Sequence, residues 1–212
     1  MAQPILNFDA TDIDAVGFKF KGDDQAIMTE CNGSVEVETD TVTKTKTCGG
    51  RTIKKLTKPS EMTITLSAFI PIEVFRRMYG IKHDETLNAG VYSYGKSSVG
   101  EQFALSVSIN DEWQDVKKLL AFLNTSVQDA LTFTIDTTED EVAMMEVTLT
   151  AQEDGLGYWY HEAFEPELVA PLTRDIWLTT LDEDALKKSA SVTVPSGVAV
   201  TPADTTAPVT AQ

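Results

Sequence analysis

Phe103-Ala-Leu-Ser-Val-Ser-Ile-Asn-Asp111, Leu119-Leu-Ala-Phe-Leu-Asn-Thr-Ser-Val127, Ala130-Leu-Thr-Phe-Thr-Ile-Asp136 and Val142-Ala-Met-Met-Glu-Val-Thr-Leu-Thr-Ala-Gln152 follow one another closely, and Glu153-Asp-Gly-Leu-Gly-Tyr-Trp-Tyr-His-Glu-Ala-Phe164 closes the run. Apolar residues alternate with polar ones, and acidic residues or glycines end each segment, which predicts short strands joined by turns. No nucleophile–base pair and no metal-ligand cluster interrupts them. The stretch reads as a sheet serving as a wall.

The flanks continue the pattern. Ile13–Phe20 alternates as a first strand, and Gly22-Asp23-Asp24 supplies turn chemistry. From Ser34 to Lys46, Val35, Val37, Thr39 and Thr41 lie on one face, with Glu36, Glu38 and Asp40 on the other. Threonine–lysine alternation then leads to Cys48-Gly49-Gly50, and Arg51–Leu56 reads as the returning strand. So polar a hairpin cannot be buried on both faces; it is a sheet edge or a projecting arm. Met62–Phe69 alternates again. Pro71–Gly80 reads as the main helix: Pro suits its first turn, Glu73 the N-terminal dipole end, and Gly80 the stop. Ile72, Phe75, Met78 and Tyr79 form its expected apolar stripe. Residues 82–100 read as a loop containing a short strand. Residues 112–124 fit either a helix carrying Trp113, Val116, Leu119, Leu120 and Leu123, or a turn followed by a strand over Lys118–Leu123. Asp175–Thr180 reads as a last strand and Asp184–Lys188 as a helical turn.

With 212 residues the expected organisation is one domain over 1–188 and an extended Thr/Ala/Pro-rich segment over 189–212, either a tail or the stump of an appendage. The N-terminus lacks the basic start and apolar core of a signal peptide, and no apolar run is long enough to span a membrane. Synthesis in a cytoplasm without export is the expectation, with Cys31 and Cys48 reduced.

Charge is the second strong signal. Thirty-three acids against 17 bases leave −16, which excludes DNA binding by phosphate neutralisation. A like-charged surface can instead let DNA pass. The charge is also segregated: residues 42–59 hold Lys44, Lys46, Arg51, Lys54, Lys55 and Lys58 with no acid. Residues 136–154 hold Asp136, Glu139, Asp140, Glu141, Glu146, Glu153 and Asp154 with no base. A basic arm and an acidic turn on one chain suit docking between copies, although two solvated faces would read the same way.

Chemistry is hard to find. His161-Glu-Ala-Phe-Glu165 is not the zincin pattern, because its last position is Glu. Gly155-Leu-Gly157 lacks the third glycine and the Lys-Ser/Thr of a phosphate loop, and the Asp136–Glu141 cluster lacks the central glycine of a calcium loop. The serines and threonines between Ser34 and Ser67 have no histidine nearby to activate them. Tyr158, Trp159 and Tyr160 suit a strand-end cap on a core better than a sugar platform. No active site, metal site or cofactor is expected.

The segment from Phe103 to Phe164 resembles the C-terminal half of the major tail (tail-tube) proteins of long-tailed, non-contractile bacteriophages. The residues that carry the likeness are Val107-Ser-Ile-Asn-Asp111, Lys117-Lys-Leu-Leu-Ala-Phe-Leu-Asn-Thr-Ser-Val127, Leu131-Thr-Phe-Thr-Ile-Asp136 with Asp140-Glu141, and Val147 through Phe164. Over residues 10–180 the order of strand, long polar hairpin, strand and helix is similar too, and the resemblance favours a strand over Lys118–Leu123. It implies a mainly β fold, a β-sandwich or split barrel with one flanking helix and a long hairpin arm. It also implies hexameric rings stacked into the tail tube of a virion, enclosing a tape-measure protein and conducting DNA, with tail terminator and distal tail proteins as further partners.

On this reading the lumen-lining candidates are Glu36, Glu38, Asp40, Thr63, Thr65, Ser67, Ser106, Ser108, Glu146 and Thr148, with Gln102 and Thr150 on the same faces. The basic arm would dock on Asp136, Glu139, Asp140, Glu141, Glu153 and Asp154 of an adjacent copy. The alternative is a monomeric β-sandwich binding module, such as a carbohydrate-binding or adhesin domain.

Overall fold

The computed structural model describes residues 5, 7–29, 32–132 and 144–187. Within them the chain runs β1 (Ala10–Phe20), β2 (Ile27–Met28), β3 (Asn32–Cys48), β4 (Arg51–Ala68), α1 (Ile72–Tyr79), β5 (Lys82–His83) and β6 (Tyr92–Ser93). It continues as β7 (Phe103–Asp111), β8 (Lys117–Val127), β9 (Met145–Ala151), β10 (His161–Phe164), α2 (Arg174–Thr179) and α3 (Glu183–Leu186). The fold is mainly β.

One antiparallel sheet of eight strands has the order β2-β1-β7-β8-β9-β4-β3, with β10 joined to the first half of β8. Phe20, Phe103, Thr125, Ala151, Met62 and Thr39 are successive partners across it, so one level crosses from β1 to β3. The sheet curls until Cα atoms of β1 and β3 come within 8 Å, enclosing the core like a split barrel. Phe18, Phe20, Phe103, Leu105, Phe122, Leu149, Ile64 and Leu66 fill the inside, and α1 adds Val74, Phe75, Met78 and Tyr79. These apolar side chains leave water together, which is the main force holding the curl.

The opposite side of the sheet is divided. Over β7 and β8, Leu119 and Ala121 pack against Trp177 and Leu181 of the α2–α3 segment. Over β9, β4 and β3 no helix among the described residues packs on it.

Beyond Met62↔Ala151 the β4–β9 ladder ends, while β3 and β4 continue as a two-stranded ribbon. The arm leaves the body at an irregularity, where Asp40↔Glu61 is followed by Thr41↔Pro59 and Ser60 is the extra residue. A bulge is where a sheet tolerates proline, which has no N–H for the ladder. At the tip, Cys48 faces Arg51 across Gly49 and Gly50, whose φ angles are 56° and 77°. Two consecutive positive φ values are the I′ hairpin geometry, which glycine adopts without steric cost.

Several expectations need correction. Asp175–Thr180 lies in a helix rather than a strand: the Thr173 hydroxyl accepts from the Ile176 N–H at 3.3 Å, Asp175 sits in the first turn, and Trp177 and Leu178 face inward. In α1, Ile72 is exposed and Val74 takes its place in the core. Arg51–Leu56 and the stretch expected from Met62 to Phe69 fall in one long strand, β4, which ends at Ala68. Residues 117–127 form a strand, β8, as the resemblance favoured. Most of the strand expected at 130–136 lies outside the described residues, as does the segment 189–212.

Candidate functional site

Ladder register builds the open sheet surface. Glu36 pairs with Thr65 and Thr65 with Thr148; Glu38 pairs with Thr63, Thr63 with Thr150, and Thr150 with Ser126. Ser34, Ser67 and Glu146 make a third row, and Asp40 and Glu61 a fourth pair. The side-chain period of two puts all of them on the side away from Ile64, Leu66, Val147 and Leu149. The carboxylates are exposed and Thr63, Thr65, Ser67, Thr148 and Thr150 half-buried. No lysine or arginine occurs in these rows. The candidates Glu36, Glu38, Asp40, Thr63, Thr65, Ser67, Glu146 and Thr148 are thus brought onto one continuous polar face.

Ser106 and Ser108 lie on the same side of the sheet, but both are buried. The Ser106 hydroxyl donates to the Leu178 carbonyl at 3.0 Å, and the Ser108 hydroxyl donates to Asp14 Oδ2 at 3.2 Å. Asp14 also holds Lys117 at 3.0 Å and the Arg174 guanidinium. The α2 segment therefore covers the positions that alternation alone made solvent-facing, which removes these two serines from an exposed lining.

The arm has two chemically distinct faces. Val42↔Lys58, Lys44↔Leu56 and Lys46↔Lys54 share one of them, so ammonium groups and aliphatic side chains interleave. Thr41↔Pro59, Thr43↔Thr57 and Thr45↔Lys55 share the other, where the Thr43 and Thr57 hydroxyls meet at 3.0 Å. Every residue from Thr41 to Pro59 is exposed, including Val42, Ile53 and Leu56, so neither face has a partner among the described residues.

The acidic docking partner fares differently. Asp136, Glu139, Asp140 and Glu141 lie outside the described residues. Glu153 is exposed, but the Asp154 side chain is only 2% exposed and organises its own turn. It accepts hydrogen bonds from the Leu156 and Tyr158 N–H groups at 2.9 and 3.0 Å and lies 2.7 Å from His161 Nε2. Burial works to raise the Asp154 pKa; these hydrogen bonds and the His161 charge outweigh it and leave the carboxyl below its ordinary value. Asp154 is thus committed internally and offers little to another copy.

His161 sits on β10 in strand rhythm, and among the described residues no group of three metal-ligating side chains forms. Tyr160 packs on the Phe122 ring at 5.4 Å, whereas Tyr158 stands in solvent beside His161, so the aromatics form no single flat platform.

The turn expected at Asp111-Glu112 does join β7 and β8, but sequence reasoning did not foresee how it presents Trp113. Asp111 Oδ1 accepts from the Trp113 and Gln114 N–H groups at 2.9 and 2.8 Å, and Asp111 Oδ2 accepts from the Asp9 N–H at 2.8 Å. The Asp9 N–H bond leads the interactions that hold the Asp111 carboxyl below its ordinary pKa. The turn is thereby fixed, and Trp113 is held 78% exposed. Acids on both sides of a tryptophan, in Asp-Glu-Trp-Gln-Asp, were the available signal.

No protein-family model matches the chain, and no curated protein matches it in sequence. Three solved assemblies contain chains similar in fold. One is the cap of the anti-feeding prophage, described as its tube terminating cap, with 14% identity, TM-score 0.38 and coverage of 77% of this chain and 93% of that one. A chain of the anti-feeding prophage baseplate has 9% identity, TM-score 0.35 and coverage of 77% and 97%. A chain from the sheath/tube terminator of an extracellular contractile injection system in its extended state has 12% identity, TM-score 0.35 and coverage of 77% and 97%. At such TM-scores these likenesses carry no functional weight.

Proposed function

We propose that this chain is a structural subunit of a phage tail tube rather than an enzyme. Copies associate into hexameric rings, the rings stack, and the channel encloses a tape-measure protein and later passes DNA from the virion. Tail terminator and distal tail proteins cap the two ends. The observation that carries the reading is the face built from β3, β4 and β9. Over the rows from Ser34, Ser67 and Glu146 to Asp40 and Glu61 it is polar, acidic and free of bases, and it backs directly onto the apolar core. A wall with that lining repels phosphate and offers no cation for it to bind. The exposed arm adds a second support, since a ribbon exposed along residues 41–59 and extending past the body is an element that a neighbour can cover. The sequence resemblance from Phe103 to Phe164 supplies the third.

Negative-stain microscopy and sedimentation velocity of the purified full chain test the proposal. Rings or filaments of uniform width are expected. A chain that stays monomeric at every concentration, and that binds a sugar through Trp159, would overturn it in favour of a binding module.

A further inference from the structure

We infer that two copies of this chain pair face to face and antiparallel through the outer side of β3 and β4, the basic arm of each lying on the acidic body rows of the other. The pair is a state of the free chain and goes beyond the tube. It covers the face that a tube would turn to its channel, so it opens before a ring closes.

β3 and β4 form one ribbon from Ser34↔Ser67 to Lys46↔Lys54, and its outer side changes sign along its length. On the body side of the Ser60 bulge the rows are Ser34↔Ser67, Glu36↔Thr65, Glu38↔Thr63 and Asp40↔Glu61. On the arm side they are Val42↔Lys58, Lys44↔Leu56 and Lys46↔Lys54. The extra residue lies on β4, so alternation on β3 is unbroken and its even-numbered residues from 34 to 46 keep to one side. The body rows contain no base, and residues 42–59 contain no acid. The carboxylates and ammonium groups of these rows are exposed, and none has an ion-pair partner among the described residues.

A strip of this kind complements itself in one orientation. Laid parallel and in register on a second copy, it sets like charge on like; shifted by half its length, it leaves half uncovered. Turned antiparallel about an axis that crosses the ribbon at Thr41, it sets Glu36 against Lys46, Glu38 against Lys44 and Asp40 against Val42 of the second copy. On β4, Glu61 then meets Lys58, Thr63 meets Leu56 and Thr65 meets Lys54. Charge pairing fixes this register, and Val42 and Leu56, exposed in the single chain, are covered. Two sheets of the same twist pack aligned in this way, about 30° apart. The contact is isologous, so it closes as a pair instead of propagating.

The strip runs from Ser34 to Lys46, about 40 Å at strand rise, and is about 10 Å wide over two strands. About 400 Å² of each copy is covered, the area of a weak, exchanging contact. Its strength therefore rests on charge, and salt should loosen it.

Full-length chains carrying Cys31→Ser and Cys48→Ser test the pair. One adds Glu38→Cys and another Lys44→Cys; mixed and treated with a short bismaleimide, they should give a cross-linked dimer. Either variant alone should not, because equivalent positions stand about 20 Å apart across the axis. A chain with Glu85→Cys in place of Glu38→Cys should not react with Lys44→Cys. No cross-link in the mixture overturns the pair, and so does an equal yield with Glu85→Cys, which would put the arm on another surface. In sedimentation velocity, the dissociation constant of the wild-type pair should rise about tenfold or more from about 0.01 M to about 1 M salt, as the reach of charge falls from about 30 to about 3 Å. Glu36→Lys/Glu38→Lys and Lys44→Glu/Lys46→Glu should each abolish the pair alone and restore it when mixed. No salt dependence, no loss, or loss without restoration overturns it as well. Rings or filaments from chains that never cross-link reject the pair and leave the tube standing; a pair that never gives rings rejects the tube and leaves the pair.

Discussion

The Ser106 hydroxyl donates to the Leu178 carbonyl across 3.0 Å, and that bond marks where the outer side of the sheet changes character. On the β7 side of the boundary the sheet is roofed by α2; on the β3 side it is open and acidic. Gly17, the partner of Ser106 on β1, explains how closely the roof sits. A Cβ there would stand 2.6 Å from the Leu178 carbonyl oxygen and 2.8 Å from Ser106 Oγ.

Gly17→Val should therefore displace α2 at a cost of about 1–3 kcal/mol. Trp177 is 2% exposed and donates its indole N–H to the Leu120 carbonyl at 3.1 Å, so it reports the displacement. In a background with Trp113 and Trp159 replaced by Phe, its emission should shift to the red. Unchanged emission together with an unchanged urea midpoint would show that α2 is not seated by this contact.

Phe103 should be among the most costly core positions to truncate. Its ring lies 5.7 Å from Phe18 and 5.4 Å from Phe20, and the residue is 2% exposed. Phe103→Ala should lose about 3–5 kcal/mol through a cavity where β1 and β7 meet the barrel interior. Urea unfolding reads this directly; a loss below about 1 kcal/mol would mean that the three rings do not act as one cluster.

Acid should weaken the fold through two carboxylates. For Asp14, burial raises the pKa, but hydrogen bonds and charge from Lys117 and Arg174 outweigh it; Asp154 is lowered through His161 and its turn N–H groups. A carboxyl whose folded pKa lies below its unfolded value, about 3.9, stabilises the protein above that value. The contribution is lost as pH falls through the folded pKa. Urea midpoints should thus drop steeply below about pH 4. Asp154→Asn should be less stable at neutral pH and lose part of that slope, and an unaltered slope would exclude Asp154 as a contributor.

The open face makes a prediction about DNA. Glu36→Lys, Glu38→Lys and Glu146→Lys together would put three cations among rows that now contain none. Assembled wild-type protein should not retain double-stranded DNA on a filter, whereas the triple variant should, with retention falling steeply as salt rises. Identical behaviour of the two would place these residues away from any DNA path.

Much of this was legible in the chain. Wherever one face is apolar and the other polar, as from Val35 to Glu38 or from Met62 to Ser67, a period of two leaves little choice of conformation or of inward face. The helix at Ile72–Tyr79 was bracketed by Pro71 and Gly80. The strand expected at Asp175–Thr180 failed because Ile176, Trp177 and Leu178 are consecutive apolar residues, which alternation cannot sort. The cap from Thr173 and the packing of Trp177 on Leu119 and Ala121 settle them as helix.

The sequence by itself determined a mainly β chain, the polar and apolar sides of β3, β4 and β9, and a basic hairpin closed by Gly49-Gly50, because these follow from local periodicity and turn chemistry. Tertiary structure alone decided that Ser106 and Ser108 are covered, that Asp154 is spent on His161 and its own turn, and that Trp113 stands in solvent on a turn fixed by Asp111. Each of these depends on which distant segment, such as Leu178, His161 or Asp9, folds back onto the residue, and such pairing leaves no local trace in the chain.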